Sequence, residues 1–339
     1  MKKPKLYCLL GTNRTLEPTG GDKINEARFL RSASAYFDVY YNNILYVNGC
    51  ETFGHPEIDV SPPSQEYDLY YVRNNKEILL QCGAPCVTMA VPYDAEVFDR
   101  VDGLIATTQT WRDLLVKRDE DDEARAILKD WYGDGPDLIR KPVFYVGQAC
   151  DPGFRQPMPR RTLRFRHAFT NGDAIGYFGR IAPATMPTIA MTGVMDVARF
   201  FPQLQFIYGG FVRKPVTNQI GLQVPPIAYD DMPAAIAACT AVVGNEEKDA
   251  DFLGSGKIID AMAVGTPVLA KLNPVRLEQL GEDYPLFYRD RWEAALKLHE
   301  LVTGGGPFRQ LIADFMVKRL ELHHPDEVGR RLYEAWRSL

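Results

Sequence analysis

Short apolar runs alternate with helical stretches along almost the whole chain, and this alternation limits the possible folds more than any other feature. In the first half the runs are LYCLL (6–10), DVYY (38–41), DLYYV (68–72), CVTMAV (86–91), GLIAT (103–107) and VFYVG (143–147). Each is too short for a helix and too continuously apolar for a solvated edge, which is how strands of a covered sheet read. Between them lie a helix expected from about Lys23 to Ala35 and the helical runs TWRDLLVK and EDDEARAILKDWY, the second with acidic residues in its first turn. Consecutive strands joined by helices run parallel, with right-handed crossovers. Residues 151–172 are rich in Pro and Arg and read as a linker or hinge. The alternation then restarts with AIGYFG (174–179), LQFIYGG (204–210), the helix-then-strand run MPAAIAACTAVVG (232–244), PVLA (267–270) and LFYR (286–289), followed by helices to the end. A chain of 339 residues exceeds the usual size of one core. The expected class is therefore α/β, with two parallel-sheet domains.

Composition narrows the function classes. The net charge of −5 counts against a dedicated nucleic-acid binder, though not against local basic patches. One such patch is PRRTLRFRH (159–167), which reads either as a solvated linker or as a site for phosphates. The six cysteines are scattered, and Cys82 and Cys86 have no second pair or nearby His to complete a zinc site. Reduced thiols are the simpler reading. No apolar run reaches the roughly 18 residues of a membrane span. The first run ends at a Gly-Thr-Asn turn, too short for a signal peptide. The expected location is cytoplasmic.

The stretch GSGKIIDAMAVGTPVLA (254–270) carries the clearest chemistry. Ser255 is a helix N-cap type, and Gly256 permits close approach by backbone or ligand. The unpaired N–H groups of a helix start, helped by the dipole, form an anion site. Lys257 adds a full positive charge there, which opposes the dipole unless an anion is bound. Asp260 lies three residues on, on the same face as Lys257. A diphosphate at Lys257 would leave Asp260 near an attached ribose, whose hydroxyls it can accept. An exposed ion pair worth at most about 0.5 kcal/mol accounts for the local pattern equally well. A Walker A loop does not fit, because Asp251 stands at the first glycine position and Ile258 follows the lysine. Arg180 follows the strand AIGYFG, at the end where open α/β sheets bind ligands. Tyr229 stands in a loop before a helix, as a ledge for a base.

Taken in order, YFGR, LQFIYGG, IAYDDMPAAIAAC and GSGKIIDAMAVGTPVLA resemble the donor domain of GT-B glycosyltransferases, in particular the large retaining group that uses nucleotide-diphosphate sugars. The likeness covers about residues 174–271 well and residues 1–150 in outline. It implies two Rossmann-like domains facing a central cleft. An acceptor-side domain would span 1–150 and a donor domain 151–325, with a C-terminal helix at 326–339 crossing back and anchored by Leu332 and Trp336. It implies that Arg180 and Lys257 hold the diphosphate, that Asp260 binds the ribose, and that Tyr229, Ser255 and Gly256 complete the donor site. Gly20 and Gly21, after the first strand, correspond to a Gly-Gly that lets backbone approach the donor phosphate.

The sequence departs from the family where the retaining group carries a second acid eight residues before Asp260; here that position is Phe252. A His after CVTMAV is also replaced, by Tyr93 and Asp94. Retention and inversion both remain open. An inverting enzyme needs a general base, for which Asp22 and Asp94 are the candidates, although each also fits a helix cap. Arg73 and Asn74, ending a first-half strand, would line the acceptor pocket or cap a helix. No Asp-x-Asp stands at a strand end, so the expected enzyme is metal-independent and needs no cofactor beyond its nucleotide-sugar co-substrate. The acceptor would be a glycan, a lipid-linked sugar or a modified base in DNA. A sugar-nucleotide epimerase would want paired carboxylates and a His at the strand ends. A non-catalytic nucleotide-sugar binding module is the alternative from another class.

Overall fold

The structure is a computed structural model that describes residues 2–10, 21–41, 55–56, 66–73, 84–90, 97–133, 141–169, 173–179, 181, 186–210, 221–246 and 252–339. The chain forms two compact units, Met1–Ala149 with His324–Leu339, and Cys150–His323.

The first unit runs β1 (Lys5–Leu10), α1 (Gly21–Ser34), β2 (Asp38–Tyr41), β3 (His55–Pro56), β4 (Leu69–Arg73), β5 (Cys86–Met89), β6 (Gly103–Ala106), α2 (Gln109–Lys117), α3 (Asp122–Tyr132) and β7 (Val143–Tyr145). Its seven strands pair in the order β3-β2-β1-β4-β5-β6-β7, every pair parallel. Strand β4 is buried at all five residues, as expected of a parallel strand covered on both faces. The helix starts are built from ordinary caps. Thr108 accepts the Trp111 N–H at 3.0 Å, and Asp121 accepts from Glu123 and Ala124 at 2.9 and 3.3 Å. Trp111 is fully buried and donates its indole N–H to the Ala90 carbonyl at 2.7 Å, so its one polar atom is satisfied.

The second unit runs α4 (Pro159–Phe169), β8 (Ala174–Phe178), α5 (Thr188–Ala198), β9 (Gln205–Gly209), β10 (Leu222–Val224), α6 (Met232–Ala237), β11 (Ala241–Val243), α7 (Gly256–Val264), β12 (Val268–Lys271), α8 (Pro274–Leu280), β13 (Phe287–Tyr288), α9 (Arg291–Thr303) and α10 (Gly305–Leu320). Its six strands pair in the order β10-β9-β8-β11-β12-β13, again all parallel. The order reverses direction between β8 and β11, because β9 lies on one side of β8 and β11 on the other. That reversal is the topological switch point, where parallel α/β sheets leave a crevice at their carboxyl edge.

Helix α11 (Pro325–Arg337) then completes the first unit, packing on α1. Its own Val328 and Leu332 are buried, and the Trp336 indole donates to the Asp68 carbonyl at 3.0 Å. Phe37, Tyr333 and Trp336 form an aromatic group with centroids 5.4 to 5.8 Å apart.

One expectation is corrected. The Pro- and Arg-rich stretch 151–172 is not a plain linker, since a short turn at Pro152–Arg155 leads into helix α4. Pro159 occupies the first helical position, where a missing N–H costs nothing. Phe165 and Phe169, four apart, turn one stripe of this basic helix onto the second unit's core. Arg161 and Arg164 both pair with Asp231, at 3.0 and 3.1 Å. No helix among the described residues is long and apolar enough to cross a membrane.

Candidate functional site

The most concentrated chemistry lies at the switch point of the second unit. Gly179 follows the last residue of strand β8, and Gly210 follows the last residue of β9, Gly209. The Gly179 N–H donates to the Gly209 carbonyl at 2.9 Å. A Cβ at Gly210 would stand 1.8 Å from the Gly179 carbonyl oxygen, and Gly210 has φ +148°, so only glycine fits. A Cβ at Gly179 would stand 2.3 Å from Cε of Lys257 and 2.6 Å from its Nζ. The bare strand end is therefore the floor on which the lysine lies.

Lys257 reaches that floor from the first turn of α7. Its Nζ donates to Oδ1 of Asn245 at 2.6 Å and to the Tyr177 hydroxyl at 3.5 Å, and it sits 4.8 Å from the centre of the Tyr177 ring. Tyr177 belongs to β8, and Asn245 follows β11, so the ammonium bridges the two strands that define the crevice. A cation at a helix N-terminus works against the helix dipole, and an anion held between the two reverses that sign. Asp260 is half-buried one turn further along α7.

Ser255 is the N-cap residue by backbone conformation, but its side chain makes no capping hydrogen bond, which corrects the simple cap reading. It is buried, and Gln279 clasps its backbone instead. Oε1 accepts the Ser255 N–H and Nε2 donates to its carbonyl, both at 3.4 Å. Gln279 also accepts from Nη1 of Arg276 at 2.6 Å, and Arg276 is 1% exposed. Helix α8 thus fixes the start of α7 from below.

Tyr229 stands in the turn before α6. Its hydroxyl donates to Oδ2 of Asp151 at 2.7 Å and its ring packs 5.3 Å from Phe154. Its anchor is the turn Pro152–Arg155, which itself packs against α7.

In the first unit, α1 begins at Gly21, so Asp22 lies inside its first turn and not at the capping position; the side chains of both lie outside the described residues. Gly20, Asn74, Asp94 and Arg180 also lie outside them. Arg73 ends β4, but its side chain is 2% exposed and turned inward. Its Nη1 lies 3.7 Å from Glu26 of α1 and within hydrogen-bond reach of the Tyr71 hydroxyl and the Met89 sulfur. So placed, Arg73 presents no surface to an acceptor. Glu26 is spaced four and seven residues from the buried Leu30 and Ala33, and a charge on that apolar stripe was the available sign of a buried partner. Burial, with Glu26 adding to it, pushes the Cys8 thiol well above its ordinary range.

Sequence reading missed Asn245 and Glu246. Glu246 accepts the N–H groups of Ile189 and Ala190 at 2.9 Å each, capping α5 from outside, because Pro187 at its N-cap supplies no side-chain cap. The Tyr288 hydroxyl donates to the same carboxylate at 2.5 Å. Burial raises the Glu246 pKa above the ordinary carboxylate range, against the opposite pull of these three donors and of Lys271. No cluster of three or more His, Cys, Asp or Glu suited to a metal is present among the described residues.

No protein-family model and no curated protein matches the chain's sequence. Solved structures do match along its length. HepE from Anabaena, in complex with UDP and glucose, is 15% identical with a TM-score of 0.66, covering 99% of this chain and 100% of that one. Sucrose-phosphate synthase from Thermosynechococcus elongatus is 12% identical with a TM-score of 0.64, covering 98% of each. A glycosyltransferase from Rickettsia africae is 9% identical with a TM-score of 0.65, covering 99% of this chain and 98% of that one. The chain has the GT-B fold. Both parallel α/β units of that GT-B chain are covered by these matches. The cluster of Gly179, Asn245 and Lys257 rests on the chain's own geometry, since identities this low speak for fold alone.

Proposed function

We propose that this chain is a glycosyltransferase that moves a sugar from a nucleotide-diphosphate sugar to a hydroxyl acceptor. The observation that carries the reading is the Lys257 ammonium, laid over Gly179 and held 2.6 Å from Asn245 at the switch point of the second unit. Structures of the same fold hold UDP or UDP-glucose in HepE, which supports a nucleotide sugar as donor. In this reading the Lys257 ammonium keeps Asn245 on one of its three N–H groups and turns another to a diphosphate oxygen. With Arg180 and the start of α7 at Ser255-Gly256, it stabilises the negative charge that grows as the sugar C1–O bond breaks. Asp260 takes the ribose hydroxyls, and the Tyr229 ring, its hydroxyl fixed on Asp151, faces the base. Gly20 and Gly21 let backbone approach the donor phosphate. Asp22 or Asp94 serves as base if the reaction inverts; a retaining reaction needs no protein base. Cationic stabilisation of the leaving group makes a metal unnecessary, and the nucleotide sugar is a co-substrate, not a cofactor. The acceptor is a glycan, a lipid-linked sugar or a modified DNA base, and the protein acts in the cytoplasm.

A panel of nucleoside diphosphates, monophosphates and nucleotide sugars tests this by thermal shift and by release of nucleoside diphosphate. One base should give a clear stabilisation, about 2.7 kcal/mol at a hundredfold excess over Kd, and at equal ligand concentration the diphosphate should stabilise more than the monophosphate. The matching nucleotide sugar should be hydrolysed slowly without acceptor. Absence of any nucleotide-dependent shift would overturn the reading; binding without turnover across glycan, lipid-linked and DNA acceptors would favour the binding-module alternative.

A further inference from the structure

Lys257 is held by Asn245, and Asn245 is followed at once by a carboxylate that accepts three hydrogen bonds. Glu246 takes two backbone N–H groups from the first turn of α5 and one hydroxyl from Tyr288 of β13. Those three bonds hold the Glu246 carboxylate against two separate elements, one residue from Asn245. Tyr288 is fully buried, and the Arg276 guanidinium of α8 acts on it electrostatically. Arg276 in turn bonds Gln279, which clasps the backbone of Ser255 at the start of α7. A set of polar contacts therefore approaches Lys257 from two sides. It sets Asn245, the partner of its ammonium, and Ser255, the residue from which its helix departs.

We infer that Glu246 is a positioning residue for the Lys257 ammonium, acting through Asn245 and not by touching the ligand. The inference rests on the reading of Lys257 as a diphosphate ligand. Its physical basis is the low tolerance of a buried polar network for a missing acceptor: an amide or hydroxyl left unsatisfied moves to find a partner or bears the full desolvation cost. In Glu246→Gln the side chain keeps its volume but turns one acceptor into a donor that faces an α5 N–H or the Tyr288 hydroxyl. The segment 245–246 must then shift, and Asn245 no longer presents Oδ1 to Lys257.

The readout is the ratio of the Kd for a nucleoside monophosphate to that for the diphosphate, measured by calorimetry on the full-length protein. That ratio reports the group that meets the second phosphate, whereas general loosening of the unit weakens both ligands alike. Glu246→Gln should lower the ratio about tenfold with monophosphate binding nearly unchanged, the size expected for one buried donor left unsatisfied. Tyr288→Phe, which removes one of the three donors and leaves the carboxylate, should lower it about threefold, near the net worth of a single hydrogen bond. An unchanged ratio in Glu246→Gln overturns the inference; should that variant not fold, an unchanged ratio in Tyr288→Phe does so. If the wild-type protein does not prefer the diphosphate at all, the reading of Lys257 itself fails, which is a different result.

Discussion

Lys257→Ala should lower turnover of the preferred nucleotide sugar by at least about two orders of magnitude, the usual effect of removing one charge-stabilising group from a reaction centre. The fold should survive. Lys257 is only half-buried, its charge opposes the dipole of α7, and alanine is the better helix former. The loss should therefore appear in kcat/KM with no drop in thermal midpoint. Arg180→Ala should behave alike, because the two cations are assigned to one diphosphate. Activity of Lys257→Ala equal to wild type would remove the donor site from the switch point.

The second large effect separates two adjacent glycines. Gly210→Ala places a Cβ 1.8 Å from the Gly179 carbonyl oxygen at a residue with φ +148°. Neither backbone can yield without breaking the β8–β9 pairing, so overpacking and backbone strain add. The expected cost is about 3 kcal/mol, or a fall in thermal midpoint of roughly 10 °C. Gly179→Ala meets instead the flexible end of Lys257, at 2.3 and 2.6 Å. The lysine moves aside cheaply, so stability should change by less than about 1 kcal/mol, as for a tolerated surface change. Diphosphate affinity should fall about tenfold, since the displaced charge is the one that binds. Equal loss of stability in both variants would mean that Lys257 is packed as a structural element and not poised over an open floor.

The fold was legible because its signal is local. A strand of a covered parallel sheet reads as a short apolar run, and the runs from LYCLL to LFYR mark β1 to β13 apart from the short edge strands β3 and β10. Strand β3 is two residues long and carries no run of its own. Strand β10 is exposed along most of its length, so it lacks the apolar signature. Helix α4 was hidden by its composition, since four arginines outweigh the two phenylalanines that bury its inner stripe. In the candidate site, the residues carried by one helix start, Ser255, Gly256, Lys257 and Asp260, could be read together because helical spacing puts them on neighbouring faces. The partners from elsewhere in the chain could not. Asn245 is twelve residues from Lys257, and Glu246 is more than fifty from the α5 amides that it caps. Arg73 shows the converse: its place at a strand end suggested a ligand contact, while its pairing with Glu26 depends on which face of α1 covers β4.

The central claim is that the ammonium held on Asn245 is waiting for a diphosphate. The most direct test is a crystal structure of the protein with the nucleoside diphosphate that gives the largest thermal shift. The account predicts that the diphosphate lies at the start of α7 over Gly179, with Lys257 Nζ on a phosphate oxygen while Asn245 Oδ1 still orients it, and with the ribose hydroxyls on Asp260. A diphosphate bound away from α7, or one bound there without contact to Lys257 Nζ, would contradict it.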